Sequence, residues 1–123
     1  MLRLALLLYL LAGGVSPDSN RELGTITDKQ GHVLYHVVAE FRTVQAAKQS
    51  HSHSSICFLN SQRIQVAKYE VGLPSELPVK LDKNALYFTY TDKAGEKNIL
   101  SQLIGNELPK MLCVAPKNCY SKE

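Results

Sequence analysis

The stretch His32-Val33-Leu34-Tyr35-His36-Val37-Val38-Ala39-Glu40-Phe41-Arg42-Thr43-Val44-Gln45-Ala46-Ala47-Lys48-Gln49 decides the fold, because it carries two periodicities at once. Val33, Tyr35, Val37, Ala39 and Phe41 alternate with His32, Leu34, His36, Val38 and Glu40, the period of a strand. The second set is not purely polar, so both faces of such a strand would be covered. Val37, Phe41, Val44 and Lys48 also recur at helical spacing, and Ala39, Glu40 and the run Gln45–Lys48 favour helix by propensity. Periodicity alone leaves strand and helix both open here.

Upstream, the short run Gly24-Thr25-Ile26-Thr27 is separated from this stretch by Asp28-Lys29-Gln30-Gly31, which has turn chemistry and predicts a hairpin. Asp18 to Leu23 is polar and reads as a flexible entry. Downstream, Ser50-His51-Ser52-His53-Ser54-Ser55 reads as a small polar loop, and Ile56 to Leu59 as a buried strand carrying Cys57. Ile64, Ala67, Lys68 and Val71 would make one short helical face. The prolines of Gly72-Leu73-Pro74-Ser75-Glu76-Leu77-Pro78 force an irregular connection. Ala85 to Thr91 is the clearest strand, with Leu86, Phe88 and Tyr90 on one side and Tyr87, Thr89 and Thr91 on the other. Asp92-Lys93-Ala94-Gly95 then turns the chain into an expected amphipathic helix with the stripe Leu100, Leu103, Ile104, Leu108, Met111 and Leu112, kinked or ended by Pro109.

The amino terminus carries a secretory leader pattern: Arg3, the apolar run Leu4 to Leu11, and the small residues Ala12-Gly13-Gly14. An apolar run of about ten residues is too short to span a bilayer, so cleavage after Gly14 and no membrane span thereafter are expected. The division is then a signal peptide over 1–14, a flexible segment over 15–23 and a single domain over 24–123. The expected location is extracellular, where disulfides persist.

The whole chain has 14 Lys and Arg against 11 Asp and Glu, net +3, and the basic residues are scattered. With no basic patch interleaved with aromatics and no Gly-rich phosphate loop, nucleic-acid and phosphate functions have no support. No Gly-x-Ser-x-Gly or comparable nucleophile motif occurs, and His51 and His53 have no second pair of ligands nearby. No catalytic residue, metal or cofactor is therefore expected. Glu40, set among Leu34, His36 and Val38, is a candidate pH-sensing carboxylate, although an ordinary strand-end glutamate leaning into water is the simpler reading.

Three cysteines leave one over. The expected bridge is Cys57–Cys113, with Cys119 free or linked to another molecule and so able to form a homodimer. The rival is Cys113–Cys119, leaving Cys57 as a buried thiol.

The order of these features resembles the BRICHOS domain family, whose members include precursors of lung surfactant protein C, gastrokines and chondromodulin. The resemblance rests on Val38-Ala39-Glu40-Phe41, a turn near Arg42-Thr43, a strand Val44 to Lys48, and Ser55-Ile56-Cys57-Phe58-Leu59-Asn60. It continues in Leu86 to Thr91, Leu100 to Leu112 with Gly105, Cys113, Pro116 and Tyr120. Departures are Glu40 where the family usually has Asp, the placement of Gly105, Pro109, and a proline-rich Ile64–Leu81 in place of the first helix. The resemblance implies an α+β fold, an antiparallel sheet of about five strands flanked by two helices, and a Cys57–Cys113 disulfide. It also implies a non-enzymatic, chaperone-like binding module that holds β-prone, aggregation-prone segments of a polypeptide client in trans, with Leu86, Phe88 and Tyr90 as the candidate peptide-binding face. Two other classes compete. One is a cystatin-like secreted protease inhibitor with a helix across Tyr35 to Gln49, of whose wedge only Gln65-Val66 is approximated; the other is a secreted signalling ligand.

Overall fold

The computed structural model describes residues 19–46 and 49–123. The expected leader over 1–14 and its cleavage site lie outside the described residues. Among the described residues nine strands run in chain order: β1 (Ser19–Thr27), β2 (Val33–Ala46), β3 (Gln49–Leu59), β4 (Gln65–Val71), β5 (Lys80–Asp82), β6 (Ala85–Thr91), β7 (Lys97–Leu103), β8 (Met111–Ala115) and β9 (Asn118–Ser121). A 3-10 turn, Pro74–Glu76, links the first four strands to the rest. The strands form a four-stranded sheet β1-β2-β3-β4, a three-stranded sheet β5-β6-β7 and the hairpin β8-β9, every pairing antiparallel.

This overturns the expected α+β architecture of one sheet flanked by two helices, because no α-helix occurs among the described residues. The stretch from His32 resolves as strand: Val37 and Ala39 are buried on one face, opposite Phe58 and Ile56 of β3. β2 continues through Arg42 and Thr43 without a turn. The helix that a cystatin-like build would place there is absent up to Ala46. Ser50 to Ser55 belong to β3 and not to a loop, since Phe41, Arg42 and Thr43 supply a template for Ser54, His53 and Ser52. The small Ser54 and Ser55 are both buried within the sheet. Ser19 to Leu23 lie in β1 and are not a flexible entry. In place of a helical face between Arg63 and Val71 the chain forms β4, whose Ala67, Tyr69 and Val71 alternate inward, because three buried side chains at period 2 outweigh the weak helical face.

The C-terminal helix is replaced by β7 and the hairpin. Between Gly95 and Gly105 the chain is too short to sustain a helix without a packed face, and Pro109 would add about 3 kcal/mol to any helix running through it. Pairing along β6 instead satisfies the backbone and sets Leu100 against the core.

The sheets share one core: Ile26, Val37, Ile56, Phe58, Tyr69 and Val71 from the first, Leu86 and Phe88 from the second, Leu112 and Val114 from the hairpin, with Ile104 between them. Tyr35, Phe58 and Tyr69 make a run of edge-to-face contacts at 6.0 and 5.6 Å. Polar clamps join the layers at their rims. Arg21 donates to the Pro78 carbonyl at 2.7 Å, and Asn84 exchanges two hydrogen bonds with the Thr27 backbone, at 3.0 and 2.7 Å. Tyr35 donates to the Asn106 carbonyl at 2.6 Å, and Tyr69 to that of Pro109, so two tyrosines pin the β7–β8 connection over the core. Gly24, at φ +141°, sits where a Cβ would lie 3.3 Å from the Leu81 side chain, which lets β5 approach β1 closely.

Cys113 bonds Cys119, and Cys57 is a buried free thiol. The expected Cys57–Cys113 bridge and the spare Cys119 are thereby corrected, and with them the covalent homodimer. Cys57 alternates with the core residues Ile56 and Phe58, and Cys113 with Leu112 and Val114, so each points away from the core that separates their sheets. Cys119 lies directly opposite Cys113 in the hairpin.

Candidate functional site

β7 forms one edge of the three-stranded sheet, and the turn that delivers it is built for a hairpin. The Asp92 carboxylate accepts from the backbone N–H groups of Ala94 and Glu96, both at 2.9 Å, and Gly95 takes φ +83°. Asp28-Lys29-Gln30-Gly31-His32 and Asn60-Ser61-Gln62-Arg63-Ile64 repeat the same hydrogen bonds, with Gly31 and Arg63 at positive φ. Three hairpins thus share one turn chemistry, a three-residue loop closed by an Asx side chain.

The hydrogen-bond phase of β6 and β7 follows from the two ends of their ladder. Asp92 N donates to the Glu96 carbonyl at 2.9 Å at one end, and Ile104 N to the Asn84 carbonyl at 2.8 Å at the other. Register pairs Tyr90 with Asn98, Phe88 with Leu100 and Leu86 with Gln102 in the same phase, so Asn98, Leu100 and Gln102 spend their backbone groups on β6. The backbone N–H and C=O groups of Lys97, Ile99, Ser101 and Leu103 therefore face away from the sheet. The side chains of these same four residues are exposed, and Ile99 and Leu103 are 69% and 71% accessible. The strand has seven residues, no proline, a continuous register and a single charge, Lys97. Proteins protect edges by keeping them short, bulging them, placing proline or charges on them, or covering them; β7 is of full length, unbulged and free of proline, and Lys97 is its single charge.

Beside the start of β7 lies a groove of about 440 Å³ between the 3-10 turn and the hairpin, with Leu73, Tyr90, Lys97, Val114 and Asn118 among its lining. Its rigid wall is organised by Glu76. One carboxylate oxygen accepts from Gly72 N at 2.8 Å, Leu73 N at 3.0 Å and Tyr120 Oη at 2.7 Å, and the other from Asn118 Nδ2 at 2.6 Å. Partial burial acts to raise the Glu76 pKa, but the hydrogen bonds from Tyr120, Leu73, Asn118 and Gly72 outweigh it and hold the carboxyl below its ordinary value.

The sequence-predicted residues are scattered relative to this edge. Leu86 and Phe88 are fully buried core and offer no peptide-binding face; Tyr90 is half-buried and lines the groove. Glu40 lies on the outer face of the four-stranded sheet and pairs with Arg42 at 3.3 Å. His53, one of the two histidines of the Ser/His stretch, contacts Glu70 at 2.7 Å, and no group of three or more metal-ligating side chains occurs among the described residues. Cys57 sits on that outer face opposite Val38 and Lys68. Burial, and then the nearby Glu40 charge, push its thiol up to about 11 against the opposing pull of Lys68 and Arg42. Leu103 falls in the expected helical stripe, and Ile99 lies outside it, so helical spacing does not bring the two together on one edge. The signal that finds them is the recurrence of Asp-Lys-x-Gly at Asp28 and Asp92.

Comparison of the chain with family models, with curated proteins and with solved structures finds no match. No helix among the described residues is long and apolar enough to cross a membrane.

Proposed function

We propose that the chain is a secreted, non-enzymatic binding module that holds extended, β-prone polypeptide segments by strand addition to β7. The observation that carries this reading is the coincidence at Lys97, Ile99, Ser101 and Leu103 of outward-facing backbone groups with exposed side chains, two of them large and apolar. Main-chain hydrogen bonds would supply affinity, and the alternating side chains would select apolar residues next to Ile99 and Leu103 and an acidic one next to Lys97. Such a client is a segment that would otherwise pair with its own kind, which is the chaperone-like activity. The Cys113–Cys119 bridge supports an oxidising compartment, in keeping with the leader pattern.

The test is fluorescence anisotropy with a labelled seven-residue peptide that alternates valine and threonine and ends in glutamate. Binding is expected in the micromolar range, to be lost when alternate peptide nitrogens are methylated, and to weaken about tenfold in Ser101→Pro. Proline at Ser101 removes an outward N–H while leaving the β6 ladder intact. Binding that ignores both changes would sink the reading. Secretion is checked separately by N-terminal sequencing of chain recovered from the medium, with Val15 expected first.

A further inference from the structure

We propose that, without a client, the β7 edge is occupied by a second copy of this chain, the two β7 strands pairing antiparallel about a two-fold axis at Ser101. The proposal rests on β7 being a pairing edge, the reading above, and adds the occupant and its register. In an antiparallel self-pairing centred on Ser101, Ile99 of one copy lies opposite Leu103 of the other, and the reverse. All four exposed apolar side chains then meet an apolar partner. The phase is compatible, because Ile99, Ser101 and Leu103 are the residues whose backbone groups face outward.

Other registers are worse. Centring on Leu100 sets Ile99 against Ser101 and Lys97 against Leu103, and centring on Ile99 leaves Leu103 opposite Gly95. Charge also favours the Ser101 register. Lys97 is the only charged residue of β7, and it falls opposite Gly105. The two lysines are then eight residues apart along the strand, about 26 Å, well beyond the screening length of roughly 8 Å. The result is one continuous six-stranded sheet. A single edge strand on each side puts this contact at the small, reversible end of interfaces, so a client of sufficient length displaces it.

Cross-linking reads the register. Residues facing each other in a hydrogen-bonded pair stand about 5.5 Å apart at Cα, within disulfide reach. With a mild oxidant, Ser101→Cys should give a covalent dimer on a non-reducing gel. Ile99→Cys alone should give at least about tenfold less, and an equimolar mixture of Ile99→Cys and Leu103→Cys should restore it. All three positions are exposed, so folding is not at stake. Cross-linking of Ser101→Cys no greater than that of Ile99→Cys overturns the proposal. If the valine–threonine peptide still binds in that case, the second copy alone is refuted; if the dimer forms and no peptide binds, the dimer stands and the client reading falls.

Discussion

At the scale of single residues, two side chains test how polar groups are held in a small β fold. Glu76 accepts four hydrogen bonds, two from the Gly72 and Leu73 backbone and two from Asn118 and Tyr120 that tie the 3-10 turn to β9. Glu76→Gln keeps the shape and removes the charge, and because the site is half-open the expected loss is modest, about 1–2 kcal/mol at pH 7. The folded carboxyl titrates below its ordinary value near 4.5. Its contribution is therefore complete above pH 4.5 and is lost as pH falls through the lower folded pKa. Urea midpoints of wild type and Glu76→Gln, well apart at pH 7, should draw together as pH falls below 4.5. Cys57 makes the second test. Raised to about 11 and buried, it has almost no thiolate at pH 8. A thiol-reactive chromophore should label no site in the native protein and one after unfolding in the absence of reductant; rapid native labelling would mean that the outer face of β3 is open.

At the scale of elements, the hairpin that delivers β7 depends on Gly95. Its φ of +83° lies where a Cβ is unfavourable, although nothing stands within 4 Å of the Cβ it would gain. Gly105 has equally free space and no positive φ. Gly95→Ala should thus destabilise by about 1–2 kcal/mol through the backbone alone, whereas Gly105→Ala should be nearly neutral, as read from paired denaturation curves. The hairpin into β2, the strand Ala85–Thr91 and the irregular Gly72–Pro78 link were legible because their signals are local: turn chemistry, period 2 and proline. The Ile56–Leu59 end of β3 was legible too, but its serine-rich half, β4 and β7 were not. The serines of β3 have no strand propensity of their own and become strand only because β2 offers a long template. In β7, spacings of three and four between Leu100, Leu103 and Ile104 imitate a helix, and the deciding fact is pairing with β6. The site followed the fold. With Leu86 and Phe88 in the core, the two most exposed large apolar residues among those described are Ile99 and Leu103, on a strand whose spacing imitates a helix.

At the scale of the whole molecule, the question is whether three small sheets unfold as one body. The short bridge of β8-β9, of sequence separation 6, removes little chain entropy, about 2 kcal/mol, less than a bridge from Cys57 would have done. Leu112 and Val114 of the same hairpin lie in the core shared with Phe58 and Leu86. Burial should therefore bind the hairpin more strongly than the disulfide does. Leu112→Ala empties a fully buried site and should lower stability by about 2–5 kcal/mol, while reduction of the bridge should lower it by about 2. Both should shift one common transition. The chain has six tyrosines and no tryptophan, so near-ultraviolet dichroism of the tyrosines reports the core and far-ultraviolet dichroism the strands. Coincident curves from both signals in both perturbed proteins mean that the edge strand β7 is presented by a single cooperative scaffold. A separate early transition in Leu112→Ala would instead make the hairpin a flap on the groove, and β7 would then belong to a body of two sheets.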